Sequence, residues 1–153
     1  SSLIMSSTTI DGVHDGSGIY AYDAFISIAS STIRNTESTA IALSNGTTTV
    51  ANTLMQGGAL NDGDGGISID GGTATITDTT VFGFTEGAGV SVSLQHERSY
   101  PYMAVPGIVA VISDTEITGN ATGIEMEAGS VKIDPSVSVH DNGTSVADNI
   151  VVW

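Results

Sequence analysis

An apolar pair spaced by five residues recurs along this chain, and a repeat of about 20 to 50 residues constrains a fold more tightly than any other sequence feature. The pairs are Met5 and Ile10, Ile28 and Ile33, Val50 and Met55, Ile76 and Val81, and Ile112 and Ile117. Their first members step by 23, 22, 26 and 36 residues, and Ile133 follows after another 21. Two positions ahead of these lie Leu3, Ile26, Thr48, Ala74, Ala110 and Val131. That is the alternation of a strand with one face turned inward. A third set, again spaced by two, completes the unit: Ile19 and Ala21, Ile41 and Leu43, Ile67 and Ile69, Val90 and Val92, Ile124 and Met126, and Ile150 and Val152.

Each unit therefore predicts three short strands separated by bends, repeated about six times along one domain spanning 1–153. No stretch sustains a helical period, and β-branched residues between Gly-rich bends favour strands. Between the first and second strands a polar column lines up as Ser7, Ser30, Asn52, Asp78 and Asp114, followed by Thr8, Ser31, Thr53, Thr79 and Thr115. Such side chains hydrogen-bond local backbone at turns and can repeat that bond from coil to coil.

Stretches such as "ISIASSTIRNTESTAIALS", "ATITDTTVFGFTEGAGVSVS" and "AVISDTEITGNATGIEMEAG" resemble the right-handed parallel β-helix, the solenoid of pectate-lyase-like enzymes, phage tailspikes and many bacterial surface proteins. The resemblance covers nearly the whole chain. It implies an all-β solenoid and an extracellular or cell-surface setting, while the scaffold itself hosts unrelated activities.

Composition narrows the partners. Three basic residues, Arg34, Arg98 and Lys132, stand against seventeen acidic ones, for a formal net charge of −14. Nucleic-acid binding is disfavoured, because phosphate contacts are built from Lys and Arg. Membrane insertion is disfavoured too, since the longest apolar runs, such as Val105 to Ile112, fall far short of the roughly 20 residues of a spanning helix. With no cysteine, disulfides and thiolate metal sites are excluded.

The repeat is interrupted in two places. The bend of the third coil carries Asp62 and Asp64 among glycines, and with Asp15 on the same edge these are candidate oxygen ligands for calcium. A solvated Asx-Gly turn is the alternative. Between the fourth and fifth coils a loop is inserted at 95–107, holding His96, Glu97, Arg98, Tyr100 and Tyr102. Rigid aromatic faces with an Arg and an acid suit glycan or protein recognition. Covering outward apolar residues such as Val109 and Val111 is the competing role. Tyr20 and Tyr22 point outward if Ile19 and Ala21 point in, either as a sugar-stacking platform or as cover for the end of the rod.

Signals for catalysis are sparse. The lyase chemistry of the resembled enzymes implies calcium-binding Asp residues beside a basic residue, and none of the three bases shares the coil of Asp62 and Asp64. Outward acid pairs, Glu125 with Glu127 or Asp62 with Asp64, meet the spacing of glycosidase carboxylates, about 5 to 9.5 Å, yet such pairs on an exposed strand are usually only solvated. His14, His96 and His140 lie in different coils with no metal or triad spacing. Asn45, Asn120 and Asn142 begin glycosylation sequons, all expected at bends where a glycan fits.

The chain opens near the inward Leu3 and closes on "NIVVW", with Val152 expected inward and Trp153 beside it. Val152 and Trp153 are thus candidate end-to-end contacts, either to a second copy or to flanking coils of a longer solenoid. The expected function is a structural or adhesive extracellular module. A carbohydrate-binding or carbohydrate-cleaving β-helix is the alternative.

Overall fold

A computed structural model describes residues 1–58, 65–93, 109–127 and 129–146 and the backbone of 151–152. All its regular structure is strand: β1 (Ser2–Ser6), β2 (Thr9–Asp11), β3 (Ile19–Ala29), β4 (Thr32–Arg34), β5 (Ile41–Ala51), β6 (Leu54–Gln56), β7 (Ile67–Asp70), β8 (Thr73–Thr77), β9 (Thr80–Phe82), β10 (Ala88–Ser93), β11 (Ala110–Ser113), β12 (Glu116–Thr118), β13 (Thr122–Met126), β14 (Val131–Ile133), β15 (Ser138–His140), β16 (Thr144–Val146) and β17 (Val151–Val152). Every pairing between them is parallel and joins successive coils. The chain is a parallel β-solenoid. Among the described residues no helix is long and apolar enough to cross a membrane.

The register follows the apolar columns. Leu3, Ile26, Thr48, Ala74, Ala110 and Val131 stack in sequence, as do Met5, Ile28, Val50, Ile76, Ile112 and Ile133. On the second face Ile10, Ile33, Met55, Val81 and Ile117 stack, and Val139 extends the column to a sixth coil. From Ile26 onward these columns form one continuous core of mostly Ile and Val, with Met5, Ile10 and Val139 packed against it and Leu3 exposed. With strands about 4.8 Å apart, the five steps from β2 to β15 span about 24 Å.

Three short, separate strands per coil is corrected in the early coils. β3 and β5 each run for 11 residues, carrying the third strand of one coil directly into the first strand of the next. Asp23 and Asn45 take positive φ inside these strands, and pairing continues on both sides, from Tyr22 with Ser44 to Ala24 with Gly46. The first and third faces consequently belong to one 11-stranded sheet, and the second face is a separate 6-stranded sheet.

Two placements are also corrected. The last turn of the third face is Thr144–Val146, paired through Thr144 with Thr122 and Val146 with Ile124, whereas Val152 pairs with Ile133 on the first face. Val139 and Val146 are seven residues apart, like Ile117 and Ile124, so the third strand of coil six arrives earlier than Ile150. Val109 is not an outward residue awaiting cover but part of the core, 4% exposed.

The polar column is the first corner. Ser7, Ser30, Asn52, Asp78 and Asp114 all adopt φ between 47° and 50°, a left-handed conformation that Asn and Asp tolerate best among residues with a Cβ. Their backbone N–H groups still reach the next coil, as in Ser30 to the Ala51 carbonyl (3.1 Å) and Asn52 to the Thr77 carbonyl (3.1 Å). The hydroxyls of Ser31, Thr53, Thr79 and Thr115 each donate to the carbonyl two residues back, at 2.7–2.9 Å. At coil six this corner changes: Asp134 accepts from the backbone and hydroxyl of Ser136 (3.0 and 2.8 Å), and Ser136 in turn accepts the Asp114 N–H (2.8 Å). The two bonds from Ser136, backbone first, hold the Asp134 carboxyl below its ordinary pKa.

The second corner is filled from within. Phe84, fully buried, occupies it in coil four, with Thr36 buried at the same corner in coil two. In the later coils asparagines take over. The Asn120 carbonyl oxygen accepts the Phe84 N–H (3.1 Å), and its amide donates to the Val81 carbonyl (3.3 Å) and the Asn142 oxygen (3.0 Å). Asn142 donates onward to the carbonyls of Ile117 and His140. Room for these side chains comes from Gly66, Gly89 and Gly123. A Cβ on them would meet Val81 Cγ1, Ile117 Cγ2 and Val139 Cγ1 at 2.3 to 2.5 Å and the carbonyl oxygens of Gly89, Gly123 and Ser145 at 2.3 to 2.8 Å, with Phe84, Asn120 and Asn142 at 2.9 to 3.3 Å.

Two outcomes follow for stability. Thr48 Oγ1 is buried without a hydrogen-bond partner, so Thr48→Val raises the unfolding free energy by about 1 kcal/mol, read as a higher urea midpoint at unchanged slope. Phe84→Ala opens the second corner and costs about 3–5 kcal/mol in the same assay.

Candidate functional site

Outward positions of the third face bring together residues far apart in sequence. Ile19 and Ala21, Ile41 and Leu43, Ile67 and Ile69, and Val90 and Val92 stack inward in register. The residues between them therefore stand in outward rows. One row runs Tyr20, Ala42, Ser68, Ser91, Glu125, and the next runs Tyr22, Ser44, Asp70, Ser93. Glu127 follows β13 at the end of the second row, its N–H donating to the Val92 carbonyl (2.9 Å). The Ser93 hydroxyl bonds Asp70 Oδ1 across one coil at 3.2 Å.

This face is graded along the rod. Tyr20 and Tyr22 are 69% and 54% exposed at one end, Ala42, Asp70 and three half-buried serines, Ser68, Ser91 and Ser93, form the middle with Ser44 buried among them, and Glu125 and Glu127 stand at the other end. Four steps separate Tyr20 from Glu125, about 19 Å. Neither described basic side chain lies on it: Arg34 is on the second sheet and Lys132 on the first face. A proton-abstracting base of the Lys or Arg type is accordingly missing from the described third face.

Both interruptions of the repeat border this surface in the chain. Segment 59–64 leads toward β7, and 94–108 follows β10. Asp62 and Asp64, and His96, Glu97, Arg98, Tyr100 and Tyr102, lie outside the described residues, as does Trp153. Asp15 sits in the bend after β2 with positive φ (60°), and its N–H donates to the Glu37 carboxylate. Among the described residues no group of three or more His, Asp or Glu is placed to hold a metal ion.

The expectation of three open sequons is corrected at Asn120. That residue is 3% exposed, and both amide hydrogens are used inside the solenoid, so a glycan on Nδ2 is incompatible with the folded corner. Asn142 is half-buried with its amide also committed to two carbonyls. Asn45 is half-buried at a left-handed bend between the third and first faces.

Two charged clusters cross neighbouring coils on the second sheet. Arg34 pairs with Asp11 at 2.7 Å, and the Asn35 amide donates to the same carboxylate at 2.7 Å. The Asn35 bond, then the Arg34 bond, hold Asp11 below its ordinary pKa. His140 lies between two acids, with Nδ1 2.9 Å from Asp141 and Nε2 3.1 Å from Glu116. These bonds, Asp141 first, raise the His140 pKa above its ordinary value. Sequence spacing alone does not show this cluster, because His140 is in register with Thr118 and reaches Glu116, which stands opposite Ser138, only diagonally across the ladder.

No protein-family model, curated protein or solved structure matches the chain. The class that the fold defines is the parallel β-solenoid.

Asn120→Ala leaves the Phe84 N–H without its partner inside the second corner and removes one donor from the Val81 carbonyl. The expected cost is about 2 kcal/mol, measured by urea unfolding, and Asn120→Asp is expected to recover little of it because a carboxylate cannot donate to Val81 or Asn142.

Proposed function

We propose that the chain is an extracellular structural and adhesive module, a rigid acidic rod that grips surface glycans along its third face. The observation that carries this reading is the fixed outward row from Tyr20 and Tyr22 through the serines to Glu125 and Glu127. Aromatic faces offer broad contact at little entropic cost, and hydroxyl and carboxylate rows offer acceptors and donors at one coil spacing, which suits an extended polyhydroxyl chain. The likeness of the repeat to tailspike-type and bacterial surface right-handed β-helices supports the extracellular setting. The acidic face favours neutral or amino-bearing glycans over uronates, by charge.

The rod also offers parallel edges to further coils. β2 and β15 pair on one side only, and Leu3, Ile4 and Val146 expose apolar surface close to the outer strands. A second copy or flanking coils would cover these groups and extend the ladder.

A glycan array tests the adhesive reading. The full chain is expected to retain neutral or amino-bearing glycans, and Tyr20→Ala with Tyr22→Ala to weaken retention at least about tenfold, worth about 1.4 kcal/mol, with unchanged melting. Binding that survives loss of both tyrosines, or an absence of binding throughout, sinks it. Release of reducing ends, lost in Glu125→Gln or Glu127→Gln, would instead favour a cleaving enzyme.

A further inference from the structure

We propose that His140, with Glu116 and Asp141, is an acid-closed clasp that pins β15, the outermost described strand of the second sheet, to the coil before it. The two ring nitrogens address carboxylates on different elements: Glu116 is on β12, one coil back, and Asp141 is at the turn leaving β15. Ionised carboxylates only accept hydrogen bonds. A neutral imidazole carries one N–H, so it satisfies one of these contacts and turns a lone pair toward the other. Only the imidazolium donates to both.

Among the described residues, these three groups decide the charge of the ring. β12 contributes Glu116 and the neutral Thr118, whose hydroxyl is 3.4 Å from Nδ1. β9, the next strand in, presents Thr80 and Phe82, neither titratable in this range. The terminal turn contributes Asp141, and β16 contributes only Thr144, Ser145 and Val146. The ring is 44% exposed, so protons and salt reach it freely.

β15 depends on this contact more than inner strands do. It has three residues, with Ser138 and His140 exposed and Val139 partly buried, and among the described strands it has a neighbour on one side only. The backbone of His140 also anchors the corner, since its carbonyl accepts from the Asn142 amide at 2.9 Å. Fixing the ring thus fixes the end of the second-corner asparagine ladder.

The direction of the pH response follows from the raised pKa of His140. With the folded pKa above the unfolded one, the stabilisation is fully present below the unfolded value and is lost as pH rises through the folded value. The clasp closes in mild acid and opens above the histidine midpoint.

The test is an NMR titration of the His140 ring in the full chain, with amide hydrogen exchange of Ser138–His140 corrected for intrinsic rates. The expected midpoint lies above 6.5. Glu116→Gln and Asp141→Asn each lower it, and added salt lowers it further. Protection of β15 falls as pH crosses the midpoint, by up to about tenfold for each unit by which the midpoint exceeds the unfolded value, and is flat with pH in His140→Gln. A midpoint unmoved by both acid substitutions, or protection that does not change across it, overturns the clasp. Glycan retention plays no part in either readout.

Discussion

Hydrogen bonding between coils in strict parallel register is the constraint on which the rest depends. No strand here pairs with another strand of its own coil; its ladder N–H and C=O groups point along the rod and are paired by strands of neighbouring coils. The corners must obey the same rule. The left-handed residues at Ser30 and Asn52 turn the chain sharply while their N–H groups continue the ladder to Ala51 and Thr77. Extra residues are tolerated only where the chain leaves the ladder, which is why the steps of 26 and 36 residues lengthen bends and leave strand register untouched.

Inside the coil, shape is settled by which side chains fill the corners. The first corner needs only short hydroxyls that fold back on their own backbone. The wider second corner takes Phe84 in one coil and Asn120 and Asn142 in the next two, and the change from ring to amide is possible because the asparagines find every partner they require. Thr48 shows the opposite case, a hydroxyl in an apolar column with nothing to bond.

Outside, the same alternation converts a one-dimensional repeat into rows of chemistry. Tyr20 and Glu125 are remote in sequence but belong to one row, and His140, in register with Thr118, reaches diagonally to Glu116 on the neighbouring coil. The third face, with aromatic residues at one end and acids at the other, and the His140 cluster on the second sheet are consequences of register, not of local motifs.

Much of this was legible beforehand. The inward columns, the polar corner column and the outward tyrosines follow from spacing two within strands and near 22 between coils, because period 2 fixes the face and constant coil length fixes the neighbour. The small residue just ahead of the first inward residue of each third strand, Gly18, Ala40, Gly66, Gly89 and Gly123, was not singled out by the repeat, because its meaning depends on the corner-filling side chain of another coil. The sequence by itself determined an all-β repeat, its inward residues and its acidic surface, since these depend on local alternation and composition. Only the tertiary structure decided that β3 and β5 bend without breaking, that Thr144–Val146 and not Ile150–Val152 closes the third face, that Asn120 is a core residue and not an open sequon, and that His140 lies between two acids. Each of these depends on distances between coils, and a repeat whose bends vary in length does not encode those distances locally.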